Sequence, residues 1–332
     1  MYKHKKEGIN VLSLFDGMSG GQIGLNKSGI RYKNYFSSEI DKHAIEATQN
    51  YYPDTKQLGD IKNWESWDLD FSEIDLLCAG FPCQSWSIAG NMGGATDPRG
   101  KLMFVMMDIL NHIRTLNPNV LFLFENVNMK KVFKEYVNEV IGTDSIFINS
   151  ALLSSQNRNR QYWTNIPNVE VPKNLDINLA DILEDGISGI DVDFDNNGEF
   201  ILYANNGKAI RLNNKVKTPY TIYEARTEFG KQERKRIRKL YGRDTTPRSK
   251  EHKEYLPLNS GKANCLLTSL NSLDYVLDNN LKFRTYTINE LCMLQTIPID
   301  YFDNSKISDR QIRKIIGNGW TIDVIAHIFS HI

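Results

Sequence analysis

The residues in this chain best suited to covalent and acid–base chemistry are Cys83, Glu125, Arg158 and Arg160. Cys83 follows an apolar run, Ile74-Asp75-Leu76-Leu77-Cys78-Ala79, that stops at Gly80-Phe81-Pro82 and leads the thiol into a turn with Gln84 and Ser85. A cysteine past a strand end, among polar neighbours, can hold a larger thiolate fraction than a free thiol of pKa about 8.5 and act as a nucleophile. A buried structural cysteine is the alternative, and it is the reading for Cys78 inside the run. Glu125 closes the next apolar run in Phe124-Glu125-Asn126-Val127, either as an acid–base group or as a strand-end carboxylate in a salt bridge. Arg158 and Arg160 alternate along a strand-like stretch, which points both to one face; a solvated edge is the alternative.

A second constellation is built for binding. Leu12-Ser13-Leu14-Phe15-Asp16-Gly17-Met18-Ser19-Gly20-Gly21 reads as a strand, a glycine-rich turn and a helix, so a ligand can approach backbone N–H groups closely. Such a turn serves a dinucleotide, S-adenosylmethionine or only a tight bend. Glu39, followed by Ile40, can accept from ribose hydroxyls, and Asp60, followed by Ile61, from an adenine amino group. Together they outline a nucleoside-shaped slot.

These groups need a scaffold that brings strand ends together. Asn10–Phe15, Tyr35–Ser38, Ile74–Cys78, Val120–Phe124 and Ile146–Asn149 read as strands, and Asp41–Tyr51, Gly100–Leu116 and Lys130–Ile141 as helices. That alternation is the rhythm of an α/β fold with a parallel sheet. Beyond Pro167 the chain turns rich in Asn, Asp and Gly, then basic and helical around Lys231–Tyr241, then polar and strand-like to Leu281. Helices return at Thr287–Gln295, Asp309–Ile316 and Thr321–Ser330, the last with an apolar stripe expected to pack on the sheet. Lysine plus arginine balance aspartate plus glutamate at 40 each, but the charge is segregated. Asn174 to Phe200 holds eight acidic residues and no Lys or Arg, whereas Arg226 to Lys253 holds eleven basic and four acidic.

Gly80-Phe81-Pro82-Cys83-Gln84 resembles the Pro-Cys motif of the DNA cytosine-C5 methyltransferases, and Phe124-Glu125-Asn126-Val127 resembles that family's Glu-Asn-Val motif. Gln156-Asn157-Arg158-Asn159-Arg160 is similar to its Gln-x-Arg-x-Arg, Arg284 with Glu290 and Leu294-Gln295 to its late helix signature, and Gly317-Asn318-Gly319-Trp320 to its final motif. Phe15-Asp16-Gly17-Met18-Ser19-Gly20 and Trp320 depart from the commoner bacterial pattern and resemble the animal de novo enzymes. The resemblance implies an α/β fold with a Rossmann-like S-adenosylmethionine-dependent methyltransferase sheet over residues 1–166, completed by 296–332. It implies a second, smaller and irregular target-recognition domain over 167–295.

It further implies S-adenosylmethionine held by Phe15, Asp16, Gly17, Ser19, Gly20, Glu39, Ile40, Asp60, Ile61, Pro82, Asn318 and Trp320, and double-stranded DNA as substrate. Cys83 is the implied nucleophile toward a flipped-out cytosine, with Glu125 at N3 and the amine and with Arg158 or Arg160 at O2 or orienting Glu125. Gln84–Gly100 reads as a lid, or else a surface loop, in which Arg99 reaches a phosphate and Ser85 or Ser87 fills the vacated space. In the second domain the basic stretch Arg234-Lys235-Arg236-Ile237-Arg238-Lys239, with Arg234 and Arg236 foremost, is expected on phosphates, and Asn264 and Thr268 on base edges.

Rival readings are a transfer-RNA cytosine methyltransferase, whose Cys-Phe-Thr tripeptide is missing here, a catalytically silent DNA-binding homologue, and a nicotinamide oxidoreductase. The last leaves Cys83, Glu125 and the arginines unexplained. Cys78, Cys83, Cys265 and Cys292 have neither metal-ligand nor disulfide spacing, and no window reaches the length of a membrane span. The expectation is a cytoplasmic monomer of bacterial or phage type without a metal, compatible with a cognate restriction endonuclease as partner.

Overall fold

The computed structural model describes residues 7–82, 101–203, 209–213, 218–242, 244–246, 253–258, 261–267 and 275–332. The first layer is a sheet of β1 (Ile9–Leu14), β2 (Tyr32–Ser38), β3 (Lys56–Gln57), β4 (Leu76–Gly80), β5 (Leu121–Val127), β6 (Ile146–Asn149) and β7 (Asn159–Thr164), in the order β3-β2-β1-β4-β5-β7-β6. Every residue of β1 is buried, as a central strand covered on both faces requires. The helices are α1 (Gly20–Ser28), α2 (Lys42–Tyr51), α3 (Leu102–Leu116) and α4 (Lys131–Ile141). In α3, Met103, Met106, Met107, Leu110 and Ile113 recur at the spacing of one helical face, and all are buried.

The expected parallel sheet is mixed. Parallel pairing runs from β3 to β5, but β7 inserts antiparallel between β5 and β6. The β6–β7 connection over 150–158 is too short for the helical crossover that parallel neighbours need, so the chain turns back on itself. That reversal brings Arg160 beside Val127 and Tyr162 beside Glu125.

The region expected to be irregular contains a second sheet. Its strands are β8 (Ile190–Asp191), β9 (Glu199–Tyr203), β10 (Ala209–Asn213), β11 (Tyr220–Arg226), β12 (Lys253–Leu258), β13 (Tyr275–Leu277) and β14 (Lys282–Thr285), in the order β8-β14-β13-β11-β12-β10-β9. Antiparallel pairing predominates, with β10 and β12 parallel. The Asn, Asp and Gly content that obscured the strands supplies their turns: the Asp195 carboxylate accepts from Asn197 and Glu199 N–H, and that of Asp278 from Asn280 and Lys282 N–H. A small core of Val192, Ile222, Leu277 and Phe283 underlies this sheet, and α5 (Glu228–Tyr241) carries the basic run.

The chain ends in α6 (Ile288–Leu294), α7 (Asp309–Asn318) and α8 (Ile322–Phe329). Thr287 and Glu290 form a reciprocal capping box that starts α6. Leu291, Cys292 and Leu294 of α6 share one buried cluster with Met18 and Ile23, with Ile316 of α7, and with Leu179, Ala263 and Leu266. Helix α6, assigned from sequence to the second domain, thus packs into the core beside α1. As its apolar stripe suggested, α8 closes the sheet: Ile325, Ile328 and Phe329 cluster with Ile9, Val11 and Leu76. Helices α1 and α8 touch closely enough at Gly24 that an added Cβ would lie 2.8 Å from Ile325.

Candidate active site

In an open α/β sheet the natural binding crevice lies beyond the carboxyl ends of the strands, where the strand order reverses. Here the order reverses between β1 and β4. Register places Leu14 beside Ser38 and Ala79, and Gly80 beside Glu125, so the strands end level with one another. The segment Phe15–Ser19, the carboxylate of Glu39, the segment Gly80–Pro82 and Glu125 are therefore delivered to one rim.

The binding end is pre-shaped by backbone strain. Phe15, Gly17 and Ser19 adopt left-handed φ values of 53°, 60° and 58°, costly for the two residues that are not glycine. Tyr301 holds the turn from behind, donating its hydroxyl to the carbonyl of Met18 at 2.6 Å. Glu39 accepts from the N–H groups of Gly17, Ile40 and Asp41 at 2.7 to 2.8 Å. A carboxylate has about four acceptor directions, so one remains for a ligand. Ile40 is 73% exposed at the mouth, an apolar face for a flat ring. Asp60 caps the turn after it with one oxygen, accepting from Lys62 N–H, and its other oxygen takes no hydrogen bond among the described residues.

The other residues expected at the ligand have these surroundings. Asp16 and Ser19 are buried and bind each other at 2.7 Å, with the Tyr35 hydroxyl donating to Asp16 at 2.8 Å. Burial raises the Asp16 carboxyl above its usual range, although the hydroxyls of Ser13, Ser19, Ser37 and Tyr35 pull it back. Ile61 points into the main hydrophobic core, and Asn318 is exposed at the end of α7. Gly20 is buried against Trp320 and Ile322, and Pro82 is the last described residue before Cys83.

At the chemical end, Arg160 meets Glu125 with Nε 2.8 Å from Oε1, both side chains 12% exposed. The indole N–H of Trp320 donates to the other oxygen, Oε2, at 3.1 Å. Burial works against the charge on Arg160, but Glu125, then Cys265 and Tyr162, outweigh it and hold the guanidinium above its ordinary pKa. Asn126 donates its amide to the carbonyl of Phe81 at 3.0 Å, fixing the chain two residues before Cys83. Cys83 itself, with Ser85, Ser87 and Arg99, lies outside the described residues. Cys78 is buried, and burial pushes its thiol far up, as a structural cysteine requires.

The two arginines divide. Arg158 is buried and donates to the carbonyls of Leu266, Gly317 and Gly319 at 2.8 to 3.2 Å, tying α7 to the 261–267 segment. Burial, then the neighbouring Arg160 charge, lowers its pKa. Those bonds engage both of its terminal nitrogens, so the structure brings only Arg160 to Glu125. Both guanidinia reach the sulfur of Cys265, at 3.3 and 3.8 Å, a meeting that no local motif announces. Gln156 is a structural member of the same motif: it bonds the Leu294 carbonyl, Gln295 and the Leu266 N–H.

Lys262 donates to the carbonyls of Ala151, Ser154 and Ile177, and Ala263 exchanges backbone hydrogen bonds with Ser155 and Asn157. The segment bearing half-exposed Asn264 is thereby laid beside the arginines, while Thr268 lies outside the described residues. On α5, Arg234 pairs with Asp244 at 2.8 Å, and Arg236 with Glu233 through Nε at 2.9 Å. Lys235, Arg238 and Lys239 of the same basic stretch are exposed and take no ion pair among the described residues, so these three face solvent uncompensated. Among the described residues no cluster of His, Cys, Asp and Glu could hold a metal, and no helix is long and apolar enough to cross a membrane.

Residues 9–143 match the family described as C-5 cytosine-specific DNA methylase, a stretch that includes Cys83 and Glu125. Among curated relatives, the type II methyltransferase M.HhaI of Haemophilus parahaemolyticus is 32% identical over 187 residues, 52% of this chain and 55% of that protein. The orphan methyltransferase M.SPRI of Bacillus phage SPR is 34% identical over 195 residues, 54% of this chain and 43% of that protein. The chain thus spans about half the length, or less, of the curated relatives it matches. The S. pombe Dnmt2 methyltransferase superposes over 97% of both chains with a TM-score of 0.59 at 15% identity. A prophage-encoded putative DNA modification methyltransferase of E. coli gives 0.58 at 17% identity. At such identities these two matches establish the fold alone.

Proposed function

We propose that this chain, whose residues 9–143 match the C-5 cytosine-specific DNA methylase family, methylates C5 of a cytosine in duplex DNA with Cys83 as its nucleophile. The observation that carries this reading is the Glu125 carboxylate held by Arg160 and Trp320 on the rim where β4 runs out into Pro82 and Cys83. A strand-end salt bridge alone would not need an amide pinning the neighbouring strand end, yet Asn126 does so.

C5 of cytosine is a poor nucleophile. Addition of the Cys83 thiolate to C6 breaks the C5–C6 double bond and leaves an enamine whose electron density rests on N3 and O2. Glu125 retains acceptor positions for the exocyclic amine and can share a proton at N3, while the charge of Arg160 stabilises the density that builds there. S-adenosylmethionine, when bound, supplies the methyl group as an electrophile. The strained turn, Glu39, exposed Ile40 and Asp60 fit its nucleoside portion. A base or water then takes the C5 proton, and Cys83 leaves as thiolate, restoring the aromatic ring.

C6 is out of reach in a stacked base, so the target must leave the duplex, at a cost of a few kcal/mol. Ser85 or Ser87 fills the gap and Arg99 takes a phosphate. Residues 167–295 carry target choice: Lys235, Arg238 and Lys239, with Arg234 and Arg236 beside them, track the phosphates, and Asn264 and Thr268 reach base edges. Bisulfite sequencing of plasmid from cells making the full chain tests the reading. Protected cytosines in one sequence context, absent with Cys83→Ala, are expected; uniform conversion in both would overturn it.

A further inference from the structure

We propose that Trp320 is a positioning residue for Glu125, coupling the glycine-rich turn to the carboxylate that faces the base; the catalytic part of this inference rests on the function proposed above. Beyond the cofactor contact expected of it, Trp320 is buried, 8% exposed, and its N–H points to the carboxylate. Three glycines cradle the indole. A Cβ on Gly20 would lie 3.7 Å from it, one on Gly21 3.8 Å, and one on Gly80 2.9 Å from its Nε1. Gly80 is the last residue of β4 and sits in register with Glu125, so a side chain there would occupy the space through which the hydrogen bond runs.

The two groups act on different oxygens, Arg160 as an ion pair at Oε1 and Trp320 as a hydrogen-bond donor at Oε2, and together they fix both the position and the plane of the carboxylate. Their chemistry differs. Arg160 brings charge, whereas indole nitrogen is a donor only and does not titrate, so Trp320 sets direction without exchanging a proton with Glu125 or the base. Because the same ring lies on Gly20 and Gly21 at the start of α1, a shift of the turn is a shift of the carboxylate. Placement errors of about 1 Å at a reacting group cost on the order of 100-fold in rate.

Two experiments on the full chain test this separately from the methylation reading. In a nitrogen-15 proton correlation spectrum the Trp320 indole signal, assigned by its loss in Trp320→Phe, should move clearly in Glu125→Gln; an unmoved signal overturns the contact whether or not the chain methylates DNA. In methyl-transfer assays on the site found by bisulfite sequencing, Trp320→Phe keeps an aromatic ring against the glycines but loses the donor. It should lower kcat by roughly 10- to 100-fold with KM for S-adenosylmethionine unchanged and melting temperature preserved. Gly80→Ala, which crowds the bond without touching the indole chemistry, should reproduce that split. A raised KM at unchanged kcat would make Trp320 a ligand-contact residue instead and overturn the proposal. Inactivity of the wild-type chain would refute the proposed function and with it the catalytic part of the inference, leaving only the hydrogen bond for the spectrum to decide.

Discussion

Glu125 with Arg160 and Glu290 with Arg284 are the same chemical pair in two surroundings. Glu290 is fully buried and takes four hydrogen bonds: two from Arg284 at 2.7 and 2.8 Å, one from Glu184 N–H at 2.9 Å and one from Thr287 N–H at 2.8 Å. Its acceptor capacity is spent. Arg284 is 3% exposed and also reaches Asp278, so the network locks β14 to the start of α6. Glu125 takes one hydrogen bond, from Trp320, and an ion pair with Arg160 at its other oxygen, and remains 12% exposed on the rim. An ion pair is poised for chemistry where its carboxylate is oriented but not saturated, and serves architecture where every acceptor is used.

The comparison can be broken at each pair, beginning with the largest effect. Glu125→Gln should cost methyl transfer roughly 10²- to 10⁴-fold, the range for an acid–base group, with little change in the denaturation midpoint. Arg284→Met should do the reverse. Stranding the buried Glu290 charge should cost about 3–5 kcal/mol of stability in a urea titration, and Arg284→Met with Glu290→Leu should recover most of it.

A contrast within one motif sharpens the point. Arg158→Lys loses the fork that serves three carbonyls and should cost about 1–3 kcal/mol of stability while sparing kcat in the folded fraction. Arg160→Lys should instead lower kcat and leave the midpoint near that of the wild type. Equal effects on both readouts in both variants would dissolve the distinction between the two arginines.

Asp16 offers a third carboxylate, buried among hydroxyls. Its folded pKa is raised above 3.8, chiefly by burial. Between 3.8 and that folded value the native state binds more protons than the unfolded one, so stability falls as pH rises through this window. Asp16→Asn should therefore raise the melting temperature at pH 8, and the gain should fade as pH drops toward 3.8. This is the smallest effect expected, and a gain independent of pH would place its origin elsewhere.

Much of this was legible in the residue order, because the informative segments are local. Strand-then-turn patterns marked β1, β2, β4 and β5, and with them Glu39 and Glu125, since apolar runs and their polar ends lie next to each other in the chain. What was not legible depends on distant partners. Trp320 and Glu125 are 195 residues apart, Arg160 and Cys265 105 apart, and nothing near either member encodes the other. The pairing of Arg158 with carbonyls was hidden for the same reason, since carbonyl groups are alike in every residue. Arg234 and Arg236 read as open cations because their partners, Asp244 and Glu233, could be chosen only by the folded helix and its neighbour. The second sheet was obscured by turn-forming residues that interrupt its apolar alternation.

The most direct test of the central claim is a covalent adduct. Duplex DNA carrying 5-fluorocytosine at the methylated position should trap the full chain in the presence of S-adenosylmethionine, because fluorine at C5 cannot leave as a proton and Cys83 cannot be eliminated. A denaturant-resistant complex is expected for the wild-type chain, none for Cys83→Ala, and sharply slowed formation for Glu125→Gln. Absence of the complex with the wild-type chain, or its formation with Cys83→Ala, would contradict the claim.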